Sequence, residues 1–177
     1  MGAAVSKDLA KYSFGVRDLQ AYDHWCEAPA DFSLLNNYKT IVIFPGSGST
    51  EAKNANGMCK IFENMLPEEL KSKVKICSLY YARQPNQYDS SVLRAQSFFD
   101  NYMVPLFATR DENGDLHRMP AMKAAHNARK LIIGTHCYGS SILSGINRLT
   151  EELLTDLGYL AEERRVIQKQ IFVVQHN

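Results

Sequence analysis

The sequence predicts an α/β fold, a doubly wound and mainly parallel sheet with helices on both faces. Short apolar runs at residues 40–44, 74–80 and 131–133 have the length and the β-branched content of buried strands. Between these runs, apolar residues recur at helical spacing, and glycine or proline lies at many of the boundaries. Strands that alternate with helices are typical of βαβ units, in which parallel strands are joined by crossover helices.

The first half of the domain is predicted as strand, helix, strand, helix. After the strand at 40–44, apolar residues at 58, 61, 62, 65 and 66 favour a helix that Pro67 ends. The strand at 74–80 follows, and Asp89 or Ser90 can cap the next helix, which Pro105 closes or kinks. The apolar face of that helix comprises Val92, Ala95, Phe99 and Met103.

The second half begins with a polar turn at 109–118, centred on Asn113 and Gly114. A short helix at 119–129 has Pro120 in its first turn. The strand at 131–133 leads into a long helix at 140–159, for which Gly158 is the C′ residue. We expect residues 170–175 to form a final buried strand.

The 177 residues are interpreted as an N-terminal entry segment, 1–38, and one α/β domain, 39–177. Apolar residues make up 45% of the chain and charged residues 22%, which is typical of a soluble globular protein. The net charge of +1 favours no particular partner, and because no basic face stands out we predict no nucleic-acid partner.

The sequence predicts a cytoplasmic protein, since it has neither a membrane-length apolar run nor a signal peptide. Gly2 followed by Ser6 matches the N-myristoylation pattern, which would give marginal membrane association, although so short a pattern also occurs by chance. In such a compartment, we expect the widely spaced cysteines to be reduced thiols. The histidine–cysteine pairs lack zinc spacing, and we predict no metal site.

The candidate site residue that stands out is Cys137, within the segment THCYGS at 135–140. It separates a strand from a helix and has the small residues Thr135 and Gly139 two positions before and after it. A sharp strand–turn–helix needs such small residues, and the helix N-terminus favours a thiolate. The alternative is a buried structural cysteine at the end of a strand.

This segment resembles the nucleophile elbow of α/β-hydrolases, with cysteine in place of serine, as in the dienelactone-hydrolase branch. The loop PGSGST at 45–50 resembles the oxyanion loop of the same superfamily, with Pro45 in place of the usual histidine. The resemblance implies that the backbone amides of Ser47 and Tyr138 hold an oxyanion. The alternative for the loop is an ordinary connection between a strand and a helix.

Phosphate binding is the competing interpretation of this glycine loop. A Walker A loop needs a lysine that the segment lacks. A dinucleotide fingerprint needs a third glycine, but Glu51 occupies that position and its carboxylate would repel a phosphate. We therefore predict no nucleotide cofactor.

The catalytic base predicted from the sequence is His176. It follows the strand expected beside the elbow strand, at the carboxyl end where open α/β sheets have their sites; the alternative is a frayed terminal histidine. His136 adjoins Cys137 in the chain, which makes direct contact through the turn unfavourable. No carboxylate is well placed as the third member of a catalytic triad. Asp89, on a loop at the carboxyl end of the sheet, is the best candidate, and helix capping is its alternative role.

The resemblance also implies further strands after the elbow, because these carry the acid and the base in α/β-hydrolases. Residues 39–177 leave no room for them. Either the sequence is a fragment, or the fold is reduced and its base comes from elsewhere. We expect the apolar strand at 170–175 to be an edge that self-association or a covering segment protects.

Two functional hypotheses follow. The first is a cysteine-dependent hydrolase or acyltransferase that acts on an ester, a thioester or an amide, with Cys137 as nucleophile and His176 as base. The second is a non-catalytic, flavodoxin-like or degenerate hydrolase module that binds a ligand or a partner protein at the strand ends. The sequence does not identify the substrate.

Overall fold

The computed structural model describes residues 26–27, 32–35, 39–81 and 87–176. Gly2 and most of the predicted entry segment 1–38 lie outside the described residues. The strands are β1 (Cys26–Glu27), β2 (Lys39–Phe44), β3 (Val74–Ser78), β4 (Tyr80–Tyr81), β5 (Ala108–Arg110), β6 (Leu116–Arg118), β7 (Leu131–His136) and β8 (Phe172–His176). The helices are α1 (Ala52–Met65), α2 (Glu68–Lys71), α3 (Gln87–Phe98), α4 (Val104–Phe107), α5 (Ala121–Ala128), α6 (Gly139–Asp156) and α7 (Ala161–Lys169).

The central sheet has four parallel strands in the order β3-β2-β7-β8. In its middle, Val42 of β2 is opposite Cys77 of β3 and Ile133 of β7. Two antiparallel pairs lie outside it, β1 with β4 and β5 with β6. The predicted α/β class with a mainly parallel sheet is therefore confirmed. The polar turn predicted at 109–118 is wrong in its extent, because β5 and β6 occupy all of that range except 111–115, which connects the two strands.

Helices cover both faces of the sheet. On one face, the Phe62 ring of α1 lies 2.9 Å from the position that a Cβ atom at Gly134 would occupy, and Ile43 lies 3.6 Å from the same point. On the other face, Val42 and Phe44 join the main core with residues of α3 and α6. Alternate residues of β2 thus point into different layers, as its continuous apolar run requires.

The segment from α3 to α4 differs from its sequence prediction. The helix begins at Gln87, so Asp89 and Ser90 lie in its first turn rather than at its cap. Val92, expected on the buried face, is 53% exposed, whereas the neighbouring Arg94 is 2% exposed. Before Pro105 the chain widens into a π-helical turn, Phe99–Met103, because proline has no amide hydrogen to continue the α-helical ladder.

The long helix after Cys137 ends earlier than 159, at Asp156, and Gly158 with φ +83° follows as the predicted C′ residue. The amide of Gly158 donates to the Thr155 carbonyl, and that of Tyr159 donates to the Leu154 carbonyl, which is the Schellman pattern. Helix α7 follows and was not predicted. It buries only Ile167, and its remaining residues give no apolar stripe long enough to recognise.

The prediction that residues 170–175 form a buried strand is wrong in its burial. Strand β8 forms and pairs with β7, but all five of its residues are exposed. The exposed fractions are 63% for Phe172, 37% for Val173 and 38% for Val174. Within the described part of the chain, β8 is an edge strand.

None of the described helices is long and apolar enough to cross a membrane.

Tyr159 connects the end of α6 to the segment that precedes the elbow strand. Its hydroxyl group lies 2.9 Å from the Phe107 carbonyl and 2.8 Å from the Met119 carbonyl, and it accepts the amide hydrogen of Met119. The guanidinium group of Arg118 lies 4.4 Å from the ring centre. Burial raises the pKa of Tyr159 to about 12.

Removal of this hydroxyl group should make stability less dependent on alkaline pH. The Tyr159 pKa of about 12 exceeds the ordinary value of 10, so the folded state holds this proton more tightly than the unfolded state. The stabilisation is complete below pH ~10 and is lost as the pH rises towards 12. We expect Tyr159→Phe to cost about 1–3 kcal/mol at pH 7, because buried carbonyl groups lose their donor.

Urea unfolding at neutral and alkaline pH measures both effects. The free energy of unfolding of the wild type should fall more steeply above pH ~10 than that of Tyr159→Phe. Tyr80→Phe serves as the control and should retain the wild-type slope. Equal slopes in the wild type and in Tyr159→Phe would contradict the assignment.

Candidate functional site

The strand order reverses between β2 and β7, which makes this position the topological switch point of the sheet. From β2 the chain continues to β3 on one side, while β7 on the other side leads outward to β8. In open parallel sheets, the crevice at the carboxyl ends of two such strands is the usual ligand site. The glycine loop at 45–50 follows β2 at this edge, and Cys137 follows β7 at the same edge.

Cys137 lies at the strand–helix junction, as the sequence predicts. Its side chain is exposed. Its φ is +50°, and among the described residues it is the only non-glycine residue with a left-handed backbone. A cysteine in this region is strained, and such strain clusters at active sites. Strand β7 ends directly before it at His136, and α6 begins two residues after it at Gly139.

The elbow is tight because α6 begins against the end of β2. A Cβ atom at Gly139 would lie 1.9 Å from the carbonyl oxygen of Phe44, so no larger residue fits there. Thr135 is fully buried, and its hydroxyl oxygen lies 3.4 Å from that of Ser140 across the turn. The small residues that the sequence shows on either side of Cys137 thus meet a packing requirement.

The glycine loop lies against this elbow. A Cβ atom at Gly46 would lie 3.7 Å from the Cβ atom of Cys137 and 3.4 Å from Cδ2 of His136. Ser47, the next residue, is one of the two predicted oxyanion donors; the other, Tyr138, directly follows Cys137. The structure therefore brings the loop that carries one predicted donor next to the turn that carries the other.

Two histidine side chains flank the elbow. His136 and His176 are register partners at the carboxyl ends of β7 and β8, and their Nδ1 atoms lie 3.2 Å apart. This distance fits one hydrogen bond, in which one ring donates and the other accepts. His176 lies at the edge of the sheet where it is predicted. His136, for which the sequence predicts no role, lies between His176 and the glycine loop.

Two further histidines, His117 and His126, lie elsewhere in the fold. His117 lies in the β5–β6 hairpin, where its ring nitrogen contacts Asp111 at 2.6 Å and lowers the pKa of that carboxyl group. His126 lines a groove between α5 and α7. Asp89 has a described backbone in α3, but its side chain lies outside the described residues.

Sequence reasoning missed a cluster next to the elbow, formed by the buried residues Tyr81 and Arg94 and the half-buried Tyr138. The guanidinium carbon of Arg94 lies 4.6 Å from the ring centre of Tyr81 and 5.5 Å from that of Tyr138. The only signal in the sequence is an arginine inside an apolar helical segment, and a solvent-exposed arginine would give the same signal.

The alternative of phosphate binding at the glycine loop is disfavoured by the start of α1. Glu51 precedes the helix, and its backbone amide donates to Oδ1 of Asn54 at 3.2 Å. Its carboxylate, which pairs with Lys53 at 3.0 Å, brings negative charge to the place where a phosphate would bind. Among the described residues, no three histidine, cysteine or acidic side chains are grouped to hold a metal ion.

The chain was compared with protein families, curated proteins and solved structures. No protein family, curated protein or solved structure matches this chain. The residues themselves establish an α/β protein with a four-stranded parallel sheet, a strained exposed cysteine and a histidine pair at one edge of that sheet.

Cys137 should react with iodoacetamide faster than the other described thiols. It is exposed, whereas Cys59 is half-buried and Cys77 is buried. Burial also raises the pKa of Cys59, which lowers its thiolate fraction at neutral pH. Mass-spectrometric mapping of a labelling time course should give the order Cys137, Cys59, Cys77.

Labelling in denaturant provides the control, because there the three thiols should react at similar rates. Slower labelling of Cys137 than of Cys59 in the native protein would contradict its position on an open elbow.

Proposed function

We propose that this protein is a cysteine-dependent hydrolase or acyltransferase that acts on an ester, a thioester or an amide. The observation that carries the proposal is the left-handed backbone of an exposed cysteine between β7 and α6. A nucleophile elbow needs this conformation, since it holds the side chain clear of both elements. The proposal assigns the thiol of Cys137 as the nucleophile.

In the proposed reaction, the thiolate of Cys137 attacks the carbonyl carbon of the substrate. A C–S bond forms, and the electron pair of the carbonyl π bond moves onto the oxygen. The amides of Ser47 and Tyr138 donate to that oxyanion. The C–S bond is kept while the alcohol, thiol or amine leaves with a proton, and water or another acceptor then cleaves the thioester.

The base in this proposal is the histidine pair. His176 accepts the thiol proton either directly or through His136, whose Nδ1 lies 3.2 Å from its own Nδ1. The position of His136 between His176 and the glycine loop supports the second route. The position that a Cβ atom at Gly46 would occupy lies 3.9 Å from Nε2 of His136 and 3.7 Å from the Cβ atom of Cys137. In either case one imidazole orients the other, as the third member of a triad does.

Acylation by p-nitrophenyl acetate tests this assignment. The wild type should release nitrophenolate in a burst and carry an acetyl group on Cys137, and Cys137→Ala should abolish both. His136→Gln and His176→Gln should each slow acylation about 10²-fold or more, as is typical for loss of a general base. The double variant should be no slower than the slower single variant, because residues that act as a unit are not additive.

His117→Gln is the matched control, because this histidine is also exposed and lies in the β5–β6 hairpin. It should acylate at the wild-type rate. A full burst from Cys137→Ala, or acetylation at Cys59 instead, would exclude the enzymatic proposal.

One observation favours the second hypothesis, a module that binds a partner protein. Strand β8 presents the apolar side chains of Phe172, Val173 and Val174 at an edge where no charged residue interrupts them. Open strands of this kind pair with strands of other chains. We propose that a partner strand covers this edge in the functional protein. In a purified sample, the available partner is a second copy of the chain, so we expect self-association.

A lysine at the edge should therefore suppress association. We expect the wild type to form larger species as its concentration rises, and Val173→Lys to remain monomeric, because a charged lysine on an edge strand disfavours its pairing with another chain. Sedimentation velocity over a concentration series measures the difference. Val166→Lys, on an exposed site of α7, is the control and should associate as the wild type does. A wild type that is monomeric at all concentrations would contradict the prediction.

A further inference from the structure

Tyr81 holds the glycine loop at two points. It is fully buried in β4, where its hydroxyl group donates to the Pro45 carbonyl at 2.8 Å and its amide donates to the Ser49 carbonyl at 2.9 Å. A proline has no backbone N–H, so its carbonyl group is the only backbone hydrogen-bonding group by which Pro45 can be fixed. Ser47 lies between these two anchored residues.

Arg94 and the ring of Tyr138 extend this contact to the elbow. The rings of Tyr81 and Tyr138 meet edge to face, with their centres 5.6 Å apart. Arg94 lies over both rings, and its Nη1 atom donates to the Tyr138 hydroxyl group at 3.2 Å. Arg94 is 2% exposed and Tyr81 is fully buried, so the cation–π contact between them is shielded from water and strengthened, whereas Tyr138 is half-buried.

We propose that Tyr81, Arg94 and Tyr138 form a brace that sets the distance between the two oxyanion donors, with Tyr81 as its principal positioning residue. This inference rests on the proposed acyl-transfer function. One end of the brace is bonded to the loop that carries the Ser47 amide, and the other end is the residue that supplies the second amide. Oxyanion donors must lie within about 2.7–3.1 Å of the developing charge, so a small movement of the loop weakens them.

Two reactions of the same thiol separate positioning from reactivity. Acylation by p-nitrophenyl acetate passes through a tetrahedral oxyanion and needs both donors. Alkylation by iodoacetamide displaces iodide from a saturated carbon and forms no oxyanion. We expect Tyr81→Phe to slow acylation of Cys137 about tenfold, while its alkylation rate changes by less than about twofold.

Three further variants complete the experiment. Tyr80→Phe removes a neighbouring hydroxyl group and should leave both rates unchanged. Tyr138→Phe removes the hydroxyl group that Arg94 contacts but keeps the backbone amide, and it should slow acylation selectively, as Tyr81→Phe does. The double variant of Tyr81 and Tyr138 should be less impaired than the product of the single effects, because both act through one brace.

The outcomes distinguish the two proposals. Wild-type acylation in Tyr81→Phe would overturn the brace, as would an equal loss of acylation and alkylation, which would reflect a change in the thiol or in the fold. Unimpaired acylation of Cys137→Ala would instead overturn the enzymatic function on which the brace depends. Selective loss of acylation in Tyr81→Phe, together with inactivity of Cys137→Ala, supports both.

Discussion

The carbonyl oxygen of Phe44, at the end of β2, lies so close to Gly139 that a Cβ atom there would be 1.9 Å away. This approach lets α6 begin directly on the sheet edge, and it leaves a single residue, Tyr138, between Cys137 and the helix. The chain can turn that sharply only if Cys137 adopts a left-handed backbone. The exposed thiol, the neighbouring glycine loop and the start of α6 therefore all follow from one close contact.

The core supplies the free energy that maintains this strained turn. A non-glycine residue with positive φ costs about 1–3 kcal/mol. Helix α6 buries Ile142, Ile146 and Leu153 almost completely, and each such side chain contributes about 1.5–3 kcal/mol. Detaching the helix to relax Cys137 would expose all three, so the packing of α6 holds the elbow in place. Gly145, which lies against Ala95 of α3, brings the two helices close together on the same face.

The extent to which sequence predicts this structure depends on whether the signal is local. The strand at 40–44, the Gly158 helix end and the elbow at Cys137 each arise from neighbouring residues, and they were predictable. The exposure of the β8 side chains was not, although its edge position was, because apolar composition gives strand character but does not show whether helices cover the faces of the strand. The burial of Arg94 was equally hidden, since it depends on Tyr81 and Tyr138, which are distant in the chain.

Among the described residues, strand β8 pairs only with β7, so its attachment to the sheet depends on one neighbouring strand. Elements with few buried contacts open with free energies well below that of complete unfolding. Since β8 carries His176, each such opening separates His176 from His136 while β2, β7 and the elbow remain folded. Opening of an edge strand thus limits how long the histidine pair can persist, and amide hydrogen exchange along β8 measures how often that strand opens.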